Sequence, residues 1–248
     1  MNRSIFFLLS ALLCTVVACT PAHTVTTLQF ADYSVGKPLP NDSGMLGFLQ
    51  PYAQTMNASM NKVIGFTNNT LIHKQPESAL GNFLADCITQ MAEKKFNRKV
   101  DAGFINQGGI RSYLAKGNIT LGKIFEIMPF DNLLVLQEMN GSVLRSLLDK
   151  TAADGGWPVS VGLQMRIKEK KAIQITIAGK PLDENAVYVI ANSDYVANGG
   201  SGCDMLRNLA QTNKGYLIRD AIIDYIAEFT SQGKPIDPKS ENRVVYAN

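Results

Sequence analysis

Apolar residues recur at three- and four-residue steps in two long stretches, which predicts two amphipathic helices. The first begins at Glu77 and the second covers 217–229. Within the first, Ser78, Asn82 and Asp86 lie four residues apart on another face of the helix. That polar line fits a position facing a cleft and a position facing water equally well.

Shorter segments carry the same two periodicities. Strands are predicted over 24–33, 63–67, 102–106, 132–139 and 187–191, and helices over 43–61, 120–128 and 142–152, the last capped by Ser142. Between 161 and 177, apolar and polar residues alternate on both sides of a charged turn, which predicts a hairpin with one wet face. Because strands and helices are interspersed, we expect a mixed-sheet α+β fold, with residues 25–248 forming a single domain.

Composition and charge exclude several classes of function. The 248 residues are 46% hydrophobic and 18% charged, which suits a globular body with a sizeable core. A net charge of +3, spread without runs, predicts no basic face for nucleic acid or another polyanion. His23 and His73 are the only histidines, so this chain alone cannot supply the clustered ligands of a metal-dependent phosphoesterase. We therefore expect no metal or other cofactor in this chain.

The amino terminus has the pattern of an export signal. Arg3 precedes an apolar run over 5–17, which is too short for a comfortable membrane span. The following Val16-Val17-Ala18-Cys19 resembles the lipobox of bacterial lipoproteins, in which Cys19 would be lipidated. This predicts a lipoprotein signal peptide at 1–18, a tether at 19–24 and an exported protein held on the cell envelope by lipid alone. A plain secretory signal is the alternative.

Two cysteines remain in the body of the chain. Cys87 lies on the apolar face of a predicted helix and Cys203 in a glycine-rich loop. An oxidising compartment permits a disulfide between them, but buried free thiols are the default expectation.

The glycine-rich segments do not match the standard catalytic or nucleotide-binding motifs. The segment Gly199–Cys203 resembles a nucleophile elbow, but its last position is cysteine where glycine is needed, and no histidine follows it. The chain also lacks the phosphate loop, and its glycine clusters do not fit the dinucleotide fingerprint. These observations argue against a serine hydrolase and against nucleotide binding by either standard glycine motif.

Two glycine turns that each follow a predicted strand remain as candidate chemistry. Asn106 and Arg111 flank the first turn, Phe130 follows downstream, and Tyr195 precedes the second. Glycine lets a ligand approach the backbone, arginine binds phosphate as a planar fork, and two aromatic rings can sandwich a heterocycle. Together they predict a nucleotide-sized pocket. Each also has a purely structural interpretation: Phe130 and Tyr195 as buried rings, Arg111 as a surface charge, and Asn106 as a partner for turn amides.

Four segments, 76–86, 106–111, 128–130 and 194–202, resemble in order and spacing the motifs of the C-terminal domain of the 5'-nucleotidase / UDP-sugar hydrolase family. The resemblance extends from about residue 63 to the last helix. It implies an α/β/β/α sandwich that binds the nucleotide, while a separate N-terminal metallophosphoesterase domain holds two metal ions and the catalytic histidine.

The resemblance implies roles for individual residues. Phe130 and Tyr195 would stack the base, with Tyr195 standing where phenylalanine is usual, and Asn106 and Arg111 would contact sugar and phosphate. The full implied substrate-binding set is Asn106, Gly108, Gly109, Arg111, Phe130, Tyr195, Asn198, Gly199, Gly200 and Ser201, with no catalytic residue in this chain.

Two positions depart from the family pattern. Pro76 replaces an arginine, and Ser201 replaces the acidic residue that takes the ribose hydroxyls. Each lost charge-assisted hydrogen bond is worth roughly 1.5 to 3 kcal/mol, so a weaker or different ligand is expected unless Lys74 compensates as a point charge.

Three functions follow as hypotheses. The first is a substrate-recognition half that works with a separate metallophosphoesterase, which would hold the divalent metals. The second is a surface module that binds nucleosides or nucleotides without catalysis. The third is a scaffold that has lost its ligand, for which Pro76 and Ser201 are the argument.

Overall fold

The structure is a computed structural model that describes residues 27, 29, 31 and 42–247. Contacts divide the chain into two units, 1–46 and 47–248. The predicted signal peptide, the tether, Cys19 and the domain start at residue 25 lie outside the described residues. Of the predicted strand 24–33, only residues 27, 29 and 31 are described, and none of the three lies in a strand.

The elements follow one another in mixed order. The helices are α1 (Ser43–Met60), α2 (Ala79–Phe96), α3 (Leu121–Ile127), α4 (Gly141–Ala153), α5 (Asp194–Ala197) and α6 (Ile218–Ser231), with single 3-10 turns at Gln107–Gly109, Gly200–Gly202 and Asp204–Leu206. The strands are β1 (Val63–Thr67), β2 (Ala102–Gly103), β3 (Gly117–Thr120), β4 (Leu133–Asn140), β5 (Leu163–Lys168), β6 (Lys171–Ile177), β7 (Lys180–Pro181), β8 (Val187–Ser193), β9 (Gln211–Leu217) and β10 (Val244–Tyr246).

Two four-stranded sheets form the framework. The central sheet has the order β2-β8-β4-β9, in which β2 runs parallel to β8 and the other pairs are antiparallel. The outer sheet has the order β10-β5-β6-β7 and is antiparallel except for β10 beside β5. Strands β1 and β3 form a separate antiparallel pair. The expected mixed-sheet α+β class is confirmed.

Two apolar cores occupy opposite faces of the central sheet. Ile190 and Ala191 are consecutive in β8 but belong to different cores, because successive side chains of a strand point to opposite faces. The first core gathers the apolar stripes of α2 and α6, including Leu84 and Ile222. The second contains Trp157, the inward side chains of α4 and the inward side chains of the outer sheet.

The polar line on α2 faces neither a cleft nor water. Ser78 caps the helix by accepting a hydrogen bond from Gly81 N, and Asn82 is buried, where it donates to Lys239 O and to Glu77. Asp86 accepts both Nη groups of the buried Arg243, at 2.7 and 2.8 Å. Both predictions for this face are therefore wrong, because the carboxyl-terminal segment, residues 239–243, covers it.

The same segment supplies β10, which the sequence analysis missed. Glu77 accepts backbone N–H groups from residues 241, 242 and 243 at 2.9, 2.8 and 3.1 Å, just before β10 joins the outer sheet. A three-residue strand has too few positions to show a periodicity. It forms because a carboxylate 164 residues away fixes the chain in front of it.

Two boundaries differ from prediction. Ser142 is not the cap of α4; the helix begins at Gly141, and the amides of Gly141 and Ser142 donate to Ala186 O and Glu184 O at 2.8 and 3.0 Å. A neighbouring turn thus satisfies the groups that a side-chain cap would otherwise satisfy. The strand predicted over 102–106 is reduced to β2, because the chain turns away toward Val159 at Phe104. The hairpin at 161–177 and α1, despite Gly47 and Pro51, are confirmed.

Cys87 and Cys203 are free and buried, as expected. Burial raises the pKa of the Cys87 thiol well above its usual value and raises the pKa of Cys203 to about 11, so both side chains stay protonated at neutral pH. Within the described part of the chain, no helix has the length and apolarity needed to cross a membrane.

Candidate functional site: a cavity between two glycine turns

The first glycine turn follows β2 at the edge of the central sheet. Gly109 N donates to Asn106 O at 2.8 Å, which closes the 3-10 turn through the backbone. The Asn106 side chain therefore does not serve the turn amides, contrary to that structural alternative. Its oxygen would lie 2.8 Å from a Cβ built on Gly109, so glycine is needed there to leave the buried amide in place.

The second turn follows β8. Ser193 caps the short helix α5 by accepting from Val196 N at 3.1 Å, and the chain then reverses through left-handed conformations at Gly199, with φ +90°, and Ser201, with φ +56°. A left-handed serine is uncommon, since the Cβ atom disfavours that conformation.

Side-chain hydrogen bonds join the two turns. Asn106 Nδ2 donates to Ser201 Oγ at 3.2 Å across 95 residues of sequence. Ser201 N in turn donates to the Tyr195 hydroxyl at 3.2 Å. A Cβ on Gly200 would lie 2.6 Å from atoms of the Tyr195 ring, so the ring rests directly on this glycine. Tyr195 and Ser201 thus hold each other in position.

The third wall of the site is the loop between α3 and β4, which carries Phe130. Arg219 on α6 fixes this loop by donating to Asp131 Oδ1 at 2.5 Å and to Phe130 O at 3.4 Å. The guanidinium also lies 4.1 Å from the centroid of the Phe125 ring. One buried side chain therefore positions the backbone on which Phe130 stands.

These three walls enclose a cavity of about 320 Å³, near the lower limit for small-molecule sites. It is lined by Asn106, Gly108, Gly109, Arg111, Phe130, Asn132, Tyr195 and Ser201. Phe130 and Tyr195 are 40% and 48% exposed, so neither ring belongs to the core. The carbon of the Arg111 guanidinium lies 5.8 Å from the centre of the Phe130 ring.

The residues that line the cavity carry positive charge and no negative charge. Arg111 is the one cation among the lining residues, and none of them is a carboxylate. Its Nη1 donates to Gly108 O at 3.1 Å, which keeps the guanidinium at the mouth of the first glycine turn. Lys74 and Pro76 are not among the lining residues, so the cavity does not gain Lys74 as a second cation.

The structure thus brings together seven of the ten implied substrate-binding residues in one cavity. The other three, Asn198, Gly199 and Gly200, line a neighbouring depression of about 500 Å³ that also includes Arg207 and shares Asn132 and Tyr195 with the first. Asn132 is the lining residue that sequence reasoning did not select. The signal was present, since Asn132 stands two residues after Phe130, directly before β4.

Arg219 gives a test of how Phe130 is held. If the cavity binds a nucleoside, as the sequence analysis predicts, Arg219→Ala should weaken adenosine binding about fivefold, since the loop must then be ordered by the ligand at a cost of roughly 1 kcal/mol. Titration calorimetry measures this. Arg145→Ala, which removes an arginine of α4 that pairs with Glu184, is the control and should leave the affinity unchanged. Equal affinities of the Arg219 variant and the parent protein would show that Arg219 does not position Phe130 for binding.

Comparison with known proteins identifies the family of this chain. Residues 51–208 match the family model of the 5'-nucleotidase C-terminal domain. The chain belongs to this family. A 5'-nucleotidase of Vibrio cholerae is 25% identical over 209 residues, which cover 80% of this chain and 36% of that protein. A 5'-nucleotidase-related protein of Glossina morsitans morsitans is 25% identical over 251 residues, with 89% of this chain and 44% of that protein covered.

Solved structures agree with this assignment to the 5'-nucleotidase C-terminal domain. A 5'-nucleotidase precursor from Thermus thermophilus matches with a TM-score of 0.71 and 26% identity, over 84% of this chain and 44% of that one. The NAD nucleotidase of Haemophilus influenzae shares the fold, with a TM-score of 0.61 and 17% identity over 84% of this chain and 42% of that one. The chain spans less than half the length of each of these relatives.

Proposed function

We propose that this 5'-nucleotidase C-terminal domain binds a nucleotide or nucleoside with its base between Phe130 and Tyr195. The single observation that carries the proposal is the cavity in which two half-exposed rings and one guanidinium meet around backbone glycines. Aromatic faces bind flat heterocycles whatever their hydrogen-bonding edges, because every base has a π face. A Cβ built on Gly108 would come no closer than 4.0 Å to the Asn106 amide, so there is room for a ligand at the first turn.

The remaining polar groups suit the sugar and phosphate. In this proposal Arg111 takes the phosphate as a planar, permanently charged donor. The Asn106 amide and the Ser201 hydroxyl face the sugar as neutral partners that already bind each other. A neutral Ser201 makes a weaker partner for ribose hydroxyls than a carboxylate would, so we expect modest affinity.

Hydrolysis in this proposal is supplied by a metallophosphoesterase outside the chain. The relatives are more than twice as long as the aligned region, and the chain contains two histidines. Among the described residues, no group of three or more His, Cys, Asp or Glu side chains is placed to hold a metal ion. Incubation of the purified chain with AMP and Mn²⁺ or Mg²⁺ should release no phosphate. Release of phosphate at an enzymatic rate would show that this chain hydrolyses AMP without a separate metallophosphoesterase.

We further propose that the protein is exported and anchored to the bacterial cell envelope through Cys19. The apolar run followed by Val16-Val17-Ala18-Cys19 supports this. Mass spectrometry of the amino-terminal peptide from envelope fractions should find diacylglycerol on Cys19, and an unmodified, cleaved terminus would indicate a plain secretory signal instead.

A binding module without a catalytic partner is the second candidate. One observation favours it: a single exposed arginine is the whole cationic content of the cavity lining. Such a site can hold a base and a sugar with little contribution from phosphate.

Affinities for AMP and adenosine distinguish the two candidates. If the ligand is a nucleotide, AMP should bind about tenfold more tightly than adenosine, the lower end for a charged hydrogen bond at an exposed group. Arg111→Gln should then abolish that difference while leaving adenosine binding almost unchanged. Arg98→Gln, which removes an exposed arginine paired with Glu138, is the control. Equal binding of AMP and adenosine by the parent protein would favour the nucleoside-binding module.

A further inference from the structure

The outer sheet carries more positive charge than the net charge of the whole chain suggests. Residues 163–181, which span β5 to β7, contain the cations Arg166, Lys168, Lys170, Lys171 and Lys180 and the single anion Glu169, a net charge of 5 − 1 = +4. The whole chain carries +3, so all other residues together carry 3 − 4 = −1. The net charge of the whole chain therefore does not describe this ribbon, defined here as residues 163–181.

Three of these cations, Arg166, Lys168 and Lys171, lie on the outward face of the ribbon. Burial alternates along β5, with Leu163, Met165 and Ile167 in the core and Arg166 and Lys168 exposed between them. In the antiparallel register, Lys168 lies directly opposite Lys171, also exposed. Like charges directly opposite each other destabilise a sheet. Asp149 pairs with Lys171, so Lys168 is the member of this pair that an external anion would neutralise.

Few carboxylates within the protein neutralise this surface. Lys171 lies 3.4 Å from Asp149, while Arg166, Lys168, Lys170 and Lys180 form no ion pair with any described residue. Of the two acidic residues just after the ribbon, Glu184 pairs with Arg145, and Asp183 forms no ion pair with a described ribbon cation.

The outward face of the ribbon is a shallow, anion-accepting surface. One depression of about 570 Å³ is lined by Gln164, Met165, Arg166, Gln174, Thr176, Asn242, Val245 and Tyr246. A second, of about 240 Å³, is lined by Arg166, Lys168, Ile173, Gln174 and Ala247. Neither contains a carboxylate, and both combine donors for phosphate oxygens with apolar or aromatic surface. Tyr246 is 55% exposed, and its hydroxyl donates to Gly155 O at 3.2 Å.

We infer that this ribbon docks the domain on a membrane rich in anionic phospholipids. Charge complementarity favours the negative headgroup layer. The predominance of lysine over arginine fits an array of mobile phosphates better than bidentate recognition of one partner. The inference goes beyond ligand binding at the cavity and is consistent with the proposed lipid anchor, which would keep the ribbon near a bilayer. Binding would turn a defined face of the domain toward the lipid.

The test compares full-chain protein on vesicles of pure phosphatidylcholine and of phosphatidylcholine with about 30% phosphatidylglycerol, chosen as a probe composition, at low and high salt. The amino terminus, including Arg3, is the same in every variant, so the difference between the ribbon variant and its control isolates the ribbon. Each basic residue near an anionic surface contributes about fivefold in affinity. Lys168→Gln/Lys170→Gln should therefore reduce binding to anionic vesicles about 25-fold, with no loss of thermal stability, since one member of a repulsive pair is removed.

Lys99→Gln/Lys116→Gln is the matched control, because it removes two exposed lysines that form no ion pair with a described residue and lie outside the ribbon. It should change vesicle binding by less than about threefold, and high salt should remove the preference for anionic vesicles. Equal effects of the two double variants, or equal binding to both vesicle types, would overturn the inference. So would a ribbon variant that binds anionic vesicles normally but loses binding to polyglutamate, since that points to an acidic protein partner. None of these outcomes bears on adenosine binding, so the cavity is judged separately.

Discussion

Replacing Phe130 with alanine is expected to weaken adenosine binding by about 1 to 3 kcal/mol, or about 5- to 150-fold in Kd, the usual contribution of one aromatic platform to a stacked base. The ring is half-exposed at the cavity and belongs to neither apolar core, so its removal should leave the fold intact. Titration calorimetry measures the affinity, and urea denaturation checks the fold.

Three further variants serve as controls in this experiment. Tyr113→Ala removes another half-exposed ring, one that lies beside Lys123 and outside the cavity, and should leave Kd unchanged. Tyr195→Phe keeps the ring but loses the hydroxyl that accepts from Ser201 N, so it should cost less affinity than Tyr195→Ala. If Phe130→Ala and Tyr113→Ala bind adenosine equally well, Phe130 is not a stacking platform.

The second large effect concerns stability. Asp86→Ala should lower the free energy of unfolding by up to about 3 to 5 kcal/mol, because the buried Arg243 guanidinium loses its bidentate partner and keeps only the half-exposed carboxylate of Glu241. The Arg243 side chain is 5% exposed and that of Asp86 19%. Asp86 also accepts from Val161 N at 2.7 Å, so the same carboxylate fastens the start of the outer sheet. Urea unfolding curves provide the measurement.

An exposed ion pair that also involves α2 serves as control. Glu228→Ala breaks the pair with Lys94, whose side chains are 40% and 51% exposed, and should cost less than about 1 kcal/mol. Asp86→Ala/Arg243→Met should recover part of the loss, since no charge is then left buried. A cost for Asp86→Ala no larger than that for Glu228→Ala would show that the carboxyl-terminal segment is held by other contacts.

The parts of the fold that sequence predicted are those with many periods of a local pattern. Helices α2 and α6 each present several apolar turns, and the β5–β6 hairpin alternates along both of its strands, so burial and periodicity agree. The failures are non-local. Ser142 resembles a helix cap in sequence, but carbonyl groups of the 184–186 turn take its role, and β10 follows a segment that Glu77 and Asp86 bind from distant positions.

The same division applies to the site. Each glycine turn was visible as a local motif, and so were the aromatic residues beside them. Their convergence was not, because it depends on the Asn106–Ser201 hydrogen bond between distant segments and on Arg219, which lies 89 residues after Phe130. Gly199 and Gly200 belong to the right motif but line the neighbouring depression, since the Tyr195 ring lies on Gly200. Sequence therefore identified the segments, and tertiary contacts decided which faces meet.

The most direct test of base stacking is a set of nuclear Overhauser measurements between bound adenosine and protein selectively labelled at phenylalanine and tyrosine. We predict contacts from the adenine ring protons to the rings of both Phe130 and Tyr195, assigned by their loss in Phe130→Ala and Tyr195→Ala. Saturated binding with adenine contacts to neither ring, or to one ring alone, would contradict a base held between them.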